Sequence, residues 1–247
     1  MSRPRLSVVI PAFNEAGRLP ATLARVRAYL DARGQRYDVL VVDDGSIDGT
    51  ADVARAAQGP VGVLRHAQNR GKGHAVRTGM LAATGERRLM TDADLSTPIE
   101  ELSRLEAELD RGFDVAIGSR AVAGARIEVH QPRYREAMGR LFNRLVQALL
   151  LPGLHDTQCG FKLFTADAAA MTFAACRLDG FSFDVEALYL ARRSGLRIAE
   201  LPVVWRNDAA TRVGLGAGTT AFVDLVRIRV AAARGRYGVS AAAARPT

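Results

Sequence analysis

Met90-Thr91-Asp92-Ala93-Asp94-Leu95-Ser96-Thr97-Pro98 is the segment around which the rest of the chain can be read. Arg88-Leu89-Met90-Thr91 predicts a short buried strand that stops in two carboxylates one residue apart, and Pro98 suits the first turn of a following helix. In an extended segment side chains i and i+2 point the same way. Asp92 and Asp94 are therefore expected on one side at a strand's carboxyl end, where open α/β sheets bind their ligands. Aligned carboxylates repel unless a cation or donors compensate them, and hard divalent cations take oxygen ligands. One reading is a metal that grips a diphosphate; the other is a solvated turn with an N-cap aspartate.

Upstream, three strand–loop–helix units lead into this segment. Arg5 to Ile10 predicts a buried strand, ended by the donor-less Pro11. Asn14 and Glu15 follow, either capping a helix through Leu19, Leu23, Val26 and Leu30 or recognising a base or ribose. Tyr37 to Val42 predicts a second strand that runs into Asp43-Asp44-Gly45-Ser46, a βαβ unit without the G-x-G-x-x-G of a dinucleotide site. An aspartate there can accept from a base N–H or a ribose hydroxyl, or simply cap an Asx turn. After a strand at Val61 to Leu64, Asn69-Arg70-Gly71-Lys72-Gly73-His74-Ala75 places glycines around a lysine at a helix start. That is a phosphate contact of a kind, but not a Walker A loop.

Downstream, Ile99 to Leu109 has the spacing of an amphipathic helix, and Asp114 to Gly118 predicts a strand with Ser119-Arg120 at its end. Ala121 to Pro132 is expected to be a loop. Arg133 to Leu151 predicts a helix carrying Arg133, Arg135, Arg140 and Arg144, suited to a membrane surface or to packing with solvated arginines. A second polar cluster, His155 to Lys162, precedes a helix from Ala166 to Ala175. Asp184 and Glu186 are expected as dipole-favoured charges ahead of a helix from Ala187 to Arg193, and Arg197 to Trp205 predicts a last strand. The alternation implies an α/β fold with a mainly parallel central sheet and helices on both faces. From Arg206 onward seven arginines face two acids, Asp208 and Asp224, and Val223, Val226 and Val230 form an apolar stripe. The expected division is a domain over 1–205, then a mobile loop, a basic helix and a disordered tail over 206–247.

With 247 residues, 48% of them hydrophobic and 24% charged, the chain fits one large soluble domain. No apolar run reaches membrane length, and Leu6 to Ile10 is too short for a signal-peptide core. Two cysteines make no disulfide framework, which favours a reducing cytoplasm, and the four histidines lack zinc-ligand spacing. A formal charge of +8 asks for an anionic partner. Nucleic acid is disfavoured, since aromatics make only 6% and no stacking platform is evident.

Taken in order, Val8-Val9-Ile10-Pro11-Ala12-Phe13-Asn14-Glu15, Val41-Val42-Asp43-Asp44-Gly45-Ser46, Asn69 to Ala75 and Thr91 to Pro98 resemble the inverting family-two glycosyltransferases of the GT-A type. Ile117-Gly118-Ser119-Arg120, Asp156 to Lys162, Phe183-Asp184-Val185-Glu186 and Pro202-Val203-Val204-Trp205 continue the match, which covers Leu6 to Trp205. More narrowly, Thr157-Gln158-Cys159-Gly160-Phe161-Lys162 looks like the dolichyl-phosphate β-glucosyltransferase branch, next to the polyprenyl-phosphate mannose synthases.

The resemblance implies a GT-A type single domain with a C-terminal basic helix. It implies that Pro11, Ala12, Asn14, Glu15, Asp43, Asp44 and Ser46 hold the nucleoside of a sugar nucleotide, with Lys72 also on the donor side. Asp92, Ala93 and Asp94 would meet the diphosphate, the two aspartates through Mg²⁺ or Mn²⁺. Ser96 stands where mannose synthases tend to carry Gln, so water would replace a third protein ligand. Arg120 would lie near the phosphates. Asp156 takes the place of an acceptor-side carboxylate often proposed as the base. Arg133, Arg135, Gln158, Lys162 and Arg212 are the acceptor-side candidates. The implied reaction moves a hexose, glucose from UDP-glucose, to a polyprenyl or dolichyl phosphate. GDP-mannose as donor, a hydroxyl acceptor, or a non-catalytic nucleotide or nucleic-acid module are the alternatives. Many members carry transmembrane helices. Here membrane contact is expected to be peripheral, at the cytoplasmic face, through the basic helices or a separate membrane-protein partner.

Overall fold

A computed structural model describes residues 3–208 and 215–238, and of 215–219 the backbone alone. The first half runs β1 (Leu6–Ala12), α1 (Leu19–Ala32), β2 (Tyr37–Asp43), α2 (Thr50–Arg55), β3 (Val61–Arg65), α3 (Lys72–Ala82) and β4 (Arg87–Thr91). A 3₁₀ turn (Ile99–Glu101) leads into α4 (Leu102–Asp110), β5 (Val115–Ser119), β6 (Arg126–Val129) and α5 (Arg133–Leu149). The last part is β7 (Phe161–Thr165), α6 (Ala166–Ala175), α7 (Phe183–Arg193), β8 (Ile198–Pro202), β9 (Val204–Arg206) and α8 (Leu215–Ala233).

Seven strands form the central sheet in the order β3-β2-β1-β4-β7-β5-β8. Neighbours are parallel except around β7, which runs antiparallel to both β4 and β5. The strand alternation of side chains feeds two cores, one on each face. Val9, Val42, Met90, Ile117 and Phe164 pack with Leu188 of α7 and Ile228 of α8. Val8, Ile10, Val41, Leu89 and Leu163 pack with Leu23 and Val26 of α1 and Leu102 and Leu105 of α4. The expected mainly parallel sheet with helices on both faces is what forms.

Several local expectations change. Pro11 does not end β1, which pairs with β2 through Ala12. Pairing with β4 stops at Val9. The Ala12 carbonyl accepts from Asp44 on the β2 side; alternation turns the donor-less Pro11 nitrogen the other way, past the end of the β4 ladder. The supposed loop at Ala121 to Pro132 contains β6, which pairs with β9 in a small parallel sheet. That partner exists because the predicted strand Arg197 to Trp205 breaks at Val203, whose backbone donates to Ser119 and accepts from Arg126. The C-terminal α8 packs through Leu225 and Ile228, with Phe222 edge-on to Phe142 of α5 at 5.5 Å. Its Val223, Val226 and Val230 face outward. Of the mobile loop expected at Asn207 to Gly218, residues 209–214 lie outside the described residues, as does the expected tail at 240–247, while Leu215 to Gly218 already belong to α8. No helix among the described residues is long and apolar enough to cross a membrane.

Candidate functional site

A cleft of about 430 Å³ opens at the carboxyl ends of β1, β2 and β4. Pro11, Ala12, Glu15, Asp44, Lys72, Asp92, Ala93 and Asp94 line it, joined by Phe13, Arg18, Asn69, Gly71, Ala75 and Phe181.

The two aspartates reach this cleft by a route other than the one expected. The segment after β4 is not extended: the Leu95 amide donates to the Asp92 carbonyl at 3.2 Å, and Leu95 has φ +47°. This turn, pinned by Thr22 Oγ1 donating to the Ala93 carbonyl at 2.5 Å, points both carboxylates into one cavity. Asp94 accepts from the Ser96 amide at 2.9 Å. Burial and the neighbouring Asp92 charge raise its carboxyl above the usual carboxylate range. Asp92 is seated against Gly160, where a Cβ would come 1.9 Å from its Oδ2. Its Oδ1 lies 2.6 Å from Lys72 Nζ. Burial alone would lower the Lys72 pKa, but the Asp92 and Asp184 carboxylates outweigh it and hold the ammonium charged.

Lys72 opens α3. Gly71, at φ +108°, lets the chain press against Asp179, whose carbonyl a Cβ there would approach to 2.3 Å. The Gly73 amide donates to that same carbonyl at 2.8 Å. In the same wall Asp44 accepts from the Arg70 and Gly71 amides, the latter at 2.7 Å, and pairs with His66 Nδ1 at 2.7 Å. It fixes the Asn69–Gly71 loop while keeping its place in the cavity wall.

Asn14, Asp43 and Ser46 brace this wall from behind and are not among its lining residues. The Asn14 amide donates to Ser46 Oγ at 2.8 Å, and Asn14 Oδ1 accepts from Ile47 at 3.0 Å. Asn14 takes φ +56° to do both, and so ties two loops together where capping of α1 was the simpler expectation. Asp43 is fully buried, accepting from the Ser46 amide at 3.0 Å with Arg65 Nε 3.2 Å from its other oxygen.

At the end of β5, Arg120 grips Asp156 with Nε and Nη2 at 2.6 and 2.8 Å and with its own amide at 2.9 Å. The guanidinium lies 5.3 Å from the Trp205 ring centre. Asp156 is 1% exposed; burial would raise its pKa, but the Arg120 charge and hydrogen bonds hold it below the usual range. The expected base is thus a carboxylate with both oxygens engaged. Gln158 stands beside it, its amide donating to Asp156 at 3.2 Å.

Lys162 as an acceptor contact is corrected. It sits on β7 in mid-sheet, 1% exposed, donating to the Cys159 carbonyl at 2.6 Å and pairing with Asp184. Asp184 and Glu186 likewise lie inside α7, not ahead of it, and are buried. Glu186 accepts from the Arg177 and Leu178 amides and from Tyr237 Oη at 2.9, 2.8 and 2.8 Å. Arg133 and Arg135 lie at the start of α5 and do not line the cleft; Arg212 lies outside the described residues. Phe13 and Phe181, about 40% exposed at the cavity, were missed. Their only signal was a large apolar side chain inside a polar loop.

The sequence model of glycosyl transferase family 2 matches residues 7–171. The chain belongs to glycosyl transferase family 2. This family-two protein is 39% identical over 225 residues to the dolichyl-phosphate beta-glucosyltransferase of Homo sapiens, covering 85% of this chain and 69% of that one. Its identity to the Saccharomyces cerevisiae protein of the same name is 33% over 254 residues, covering 94% and 76%. Its fold is shared with glucosyl-3-phosphoglycerate synthase from Mycobacterium tuberculosis in complex with UDP (19% identity, TM-score 0.66, covering 92% and 80%). The same enzyme in complex with Mn²⁺, UDP-glucose and phosphoglyceric acid aligns at 18% identity with TM-score 0.65, covering 96% and 80%.

A divalent cation fits the residues that this family-two cleft presents. Asp92 Oδ1 is buried with Lys72 Nζ 2.6 Å away, and Asp94 adds a second oxygen donor in the same cavity. No group of three or more His, Cys, Asp or Glu side chains suited to a metal gathers among the described residues. Diphosphate and water oxygens would then complete the shell, as oxygen-loving cations allow.

Proposed function

We propose that this protein moves glucose from UDP-glucose to a polyprenyl phosphate of the dolichyl type. The observation that carries this is the convergence of Asp92, Asp94 and Lys72 in one cleft that Pro11, Ala12, Phe13 and Asp44 also wall. The names of its relatives, at 33 to 39% identity over most of the chain, support the sugar and the acceptor.

Phe13 and Asp44 receive the nucleoside, the ring as an apolar face and the carboxylate as an acceptor for N–H or O–H groups. Asp92 and Asp94 would hold Mg²⁺ or Mn²⁺, which would supply Lewis-acid stabilisation of the leaving diphosphate. Lys72 adds fixed positive charge there, and Arg120, within electrostatic reach of Asp92, adds more. In-line displacement at the anomeric carbon inverts an α-donor to a β-linked product. A phosphate monoester, with its second pKa near ~6, is already ionised at neutral pH and needs positioning more than deprotonation. This agrees with an Asp156 whose oxygens are committed to orienting Arg120.

The lipid acceptor must be met at a membrane. On α5, Tyr134, Met138 and Leu141 follow at helical spacing, 55%, 50% and 47% exposed, beside Arg133, Arg140 and Arg144. Apolar residues flanked by arginines suit the interface of an anionic bilayer. Our reading is a peripheral seat through this face, at the cytoplasmic side, with or without a separate membrane protein.

The test is one panel: purified protein, UDP-glucose or GDP-mannose, Mn²⁺, with and without polyprenyl phosphate. UDP release that requires the lipid phosphate, with a glucosylated lipid formed, is expected. Turnover of GDP-mannose alone, or of UDP-glucose onto hydroxyl acceptors alone, overturns it.

A further inference from the structure

We propose that Lys72 is the resident counter-ion of Asp92 and makes metal entry conditional on the diphosphate. This rests on the cleft being a nucleotide-sugar site, as proposed above. Lys72 Nζ is 2.6 Å from Asp92 Oδ1, an oxygen buried from solvent. Asp92 has little freedom to offer another oxygen, because Gly160 closes on its carboxylate: a Cβ there would lie 1.9 Å from Oδ2, 2.4 Å from Cγ and 2.8 Å from Oδ1. One of the two Asp92 oxygens, Oδ1, is therefore already paired with a cation that belongs to the chain.

Two further carboxylates act on the same ammonium. Asp94 does so from the cleft and Asp184 from the buried side. Lys72 thus feels the charge of both cavity carboxylates and of a buried one. The start of α3 is fastened to Asp179 through the Gly73 amide, so a change of partner by the ammonium is a movement of the side chain. A divalent ion and an ammonium at one carboxylate oxygen repel, so binding of metal alone has to displace Lys72 from a charge-assisted contact. A diphosphate changes that balance by giving the displaced ammonium new anionic oxygens. Metal and nucleotide then favour each other, and by linkage each raises the other's affinity by the same factor.

The coupling factor is what separates this from a general charge effect. Removing any nearby positive charge tightens metal binding and weakens nucleotide binding. Only a lysine that the metal displaces and the diphosphate receives contributes to their mutual dependence. The experiment measures Mn²⁺ binding by electron paramagnetic resonance of the free ion, with and without UDP, in the parent, Lys72→Met and Lys72→Arg, each checked for folding by thermal melting.

In the parent, UDP is expected to tighten Mn²⁺ by about a hundredfold, within the usual range of coupling. In Lys72→Met, Mn²⁺ alone binds about tenfold tighter and the UDP effect shrinks to about tenfold or less, while Lys72→Arg keeps the parental coupling. An unchanged coupling factor in Lys72→Met overturns the proposal even if Mn²⁺ affinity shifts. So does a parent that binds Mn²⁺ equally well with and without UDP, a result that needs no variant. A parent that binds neither Mn²⁺ nor UDP overturns the nucleotide-sugar reading itself.

Discussion

Replacing Gly160 by alanine strikes the metal end of the cleft without touching a charged residue. The new methyl carbon would stand 1.9, 2.4 and 2.8 Å from Oδ2, Cγ and Oδ1 of Asp92. All three atoms are inside contact distance, so no spin of the carboxylate about its own axis clears the clash. To reach ordinary separation the group must swing by about 1.5 Å. The swing also pulls Oδ1 out of its 2.6 Å pairing with Lys72. A misplacement of about 1 Å in a reacting constellation lowers rate by about a hundredfold, and that is the loss of kcat/KM expected here. Stability should fall by about 1–3 kcal/mol at most, the usual range for an added core methyl.

The assay follows UDP release at subsaturating donor, alongside Mn²⁺ titration and a urea melt. Gly139→Ala is the control: it lies on α5 with nothing within 4 Å of its Cβ position. As a helical glycine it should gain roughly 0.5–1 kcal/mol and keep parental activity. A folded Gly160→Ala protein with parental kcat/KM and parental Mn²⁺ affinity would refute the placement of Asp92 at the reacting end.

Asp156→Asn removes one half of the carboxylate fork that holds Arg120. A loss of turnover below about a hundredfold is expected, and a loss near ten-thousandfold in a folded variant would restore the base role. Because Arg120 lowers the Asp156 pKa below 3.8, its stabilisation is present above that pH and fades only as pH falls through the lower folded value. Asp156→Asn should therefore lose stability at neutral pH and converge with the parent in strong acid, as acid melts would report. Asp94→Asn should abolish metal-dependent turnover yet raise the melting temperature at pH 7. Asp94 is held above 3.8 when folded, so its ionised form destabilises the fold at neutral pH, and the gain should vanish below pH 3.8. Lys162→Ala leaves Asp184 buried without its partner. About 3–5 kcal/mol of lost stability by urea unfolding is expected, and a stable variant with only a raised acceptor KM would return Lys162 to the acceptor side.

Local patterning carried much of the fold. The β-branched runs at Leu6–Ala12 and Tyr37–Asp43, each closed by a polar turn, are readable because burial on both faces demands near-continuous apolar residues. The helix at Ala166–Ala175 was legible to its ends. What stayed hidden depends on distant partners. Phe161–Thr165 reads as the end of a polar cluster and not as a strand, because its pairing partners β4 and β5 lie far away in the chain, and Arg126–Val129 becomes a strand only because Val204–Arg206 comes to lie beside it. In the site, motif spacing pointed to Asp44, Lys72, Asp92 and Asp94, which do line the cavity. It could not separate lining from bracing, so Asn14, Asp43 and Ser46 looked equivalent to Asp44. Nor could it see that Lys162, a polar residue in a polar motif, points into the sheet toward Asp184.

The antiparallel β7 has a consequence for how this molecule is born on the ribosome. β4 and β5 are both complete by Ser119, yet the strand that joins them is not synthesised until Phe161–Thr165. Throughout that interval a nascent chain exposes the two strand borders that β7 later fills, besides the border of β5 that waits for β8, the kind of surface that recruits foreign strands. Any fragment that stops short of Thr165 inherits the same hazard. Expression trials of shortened versions should therefore turn from aggregation to solubility only once that strand is included.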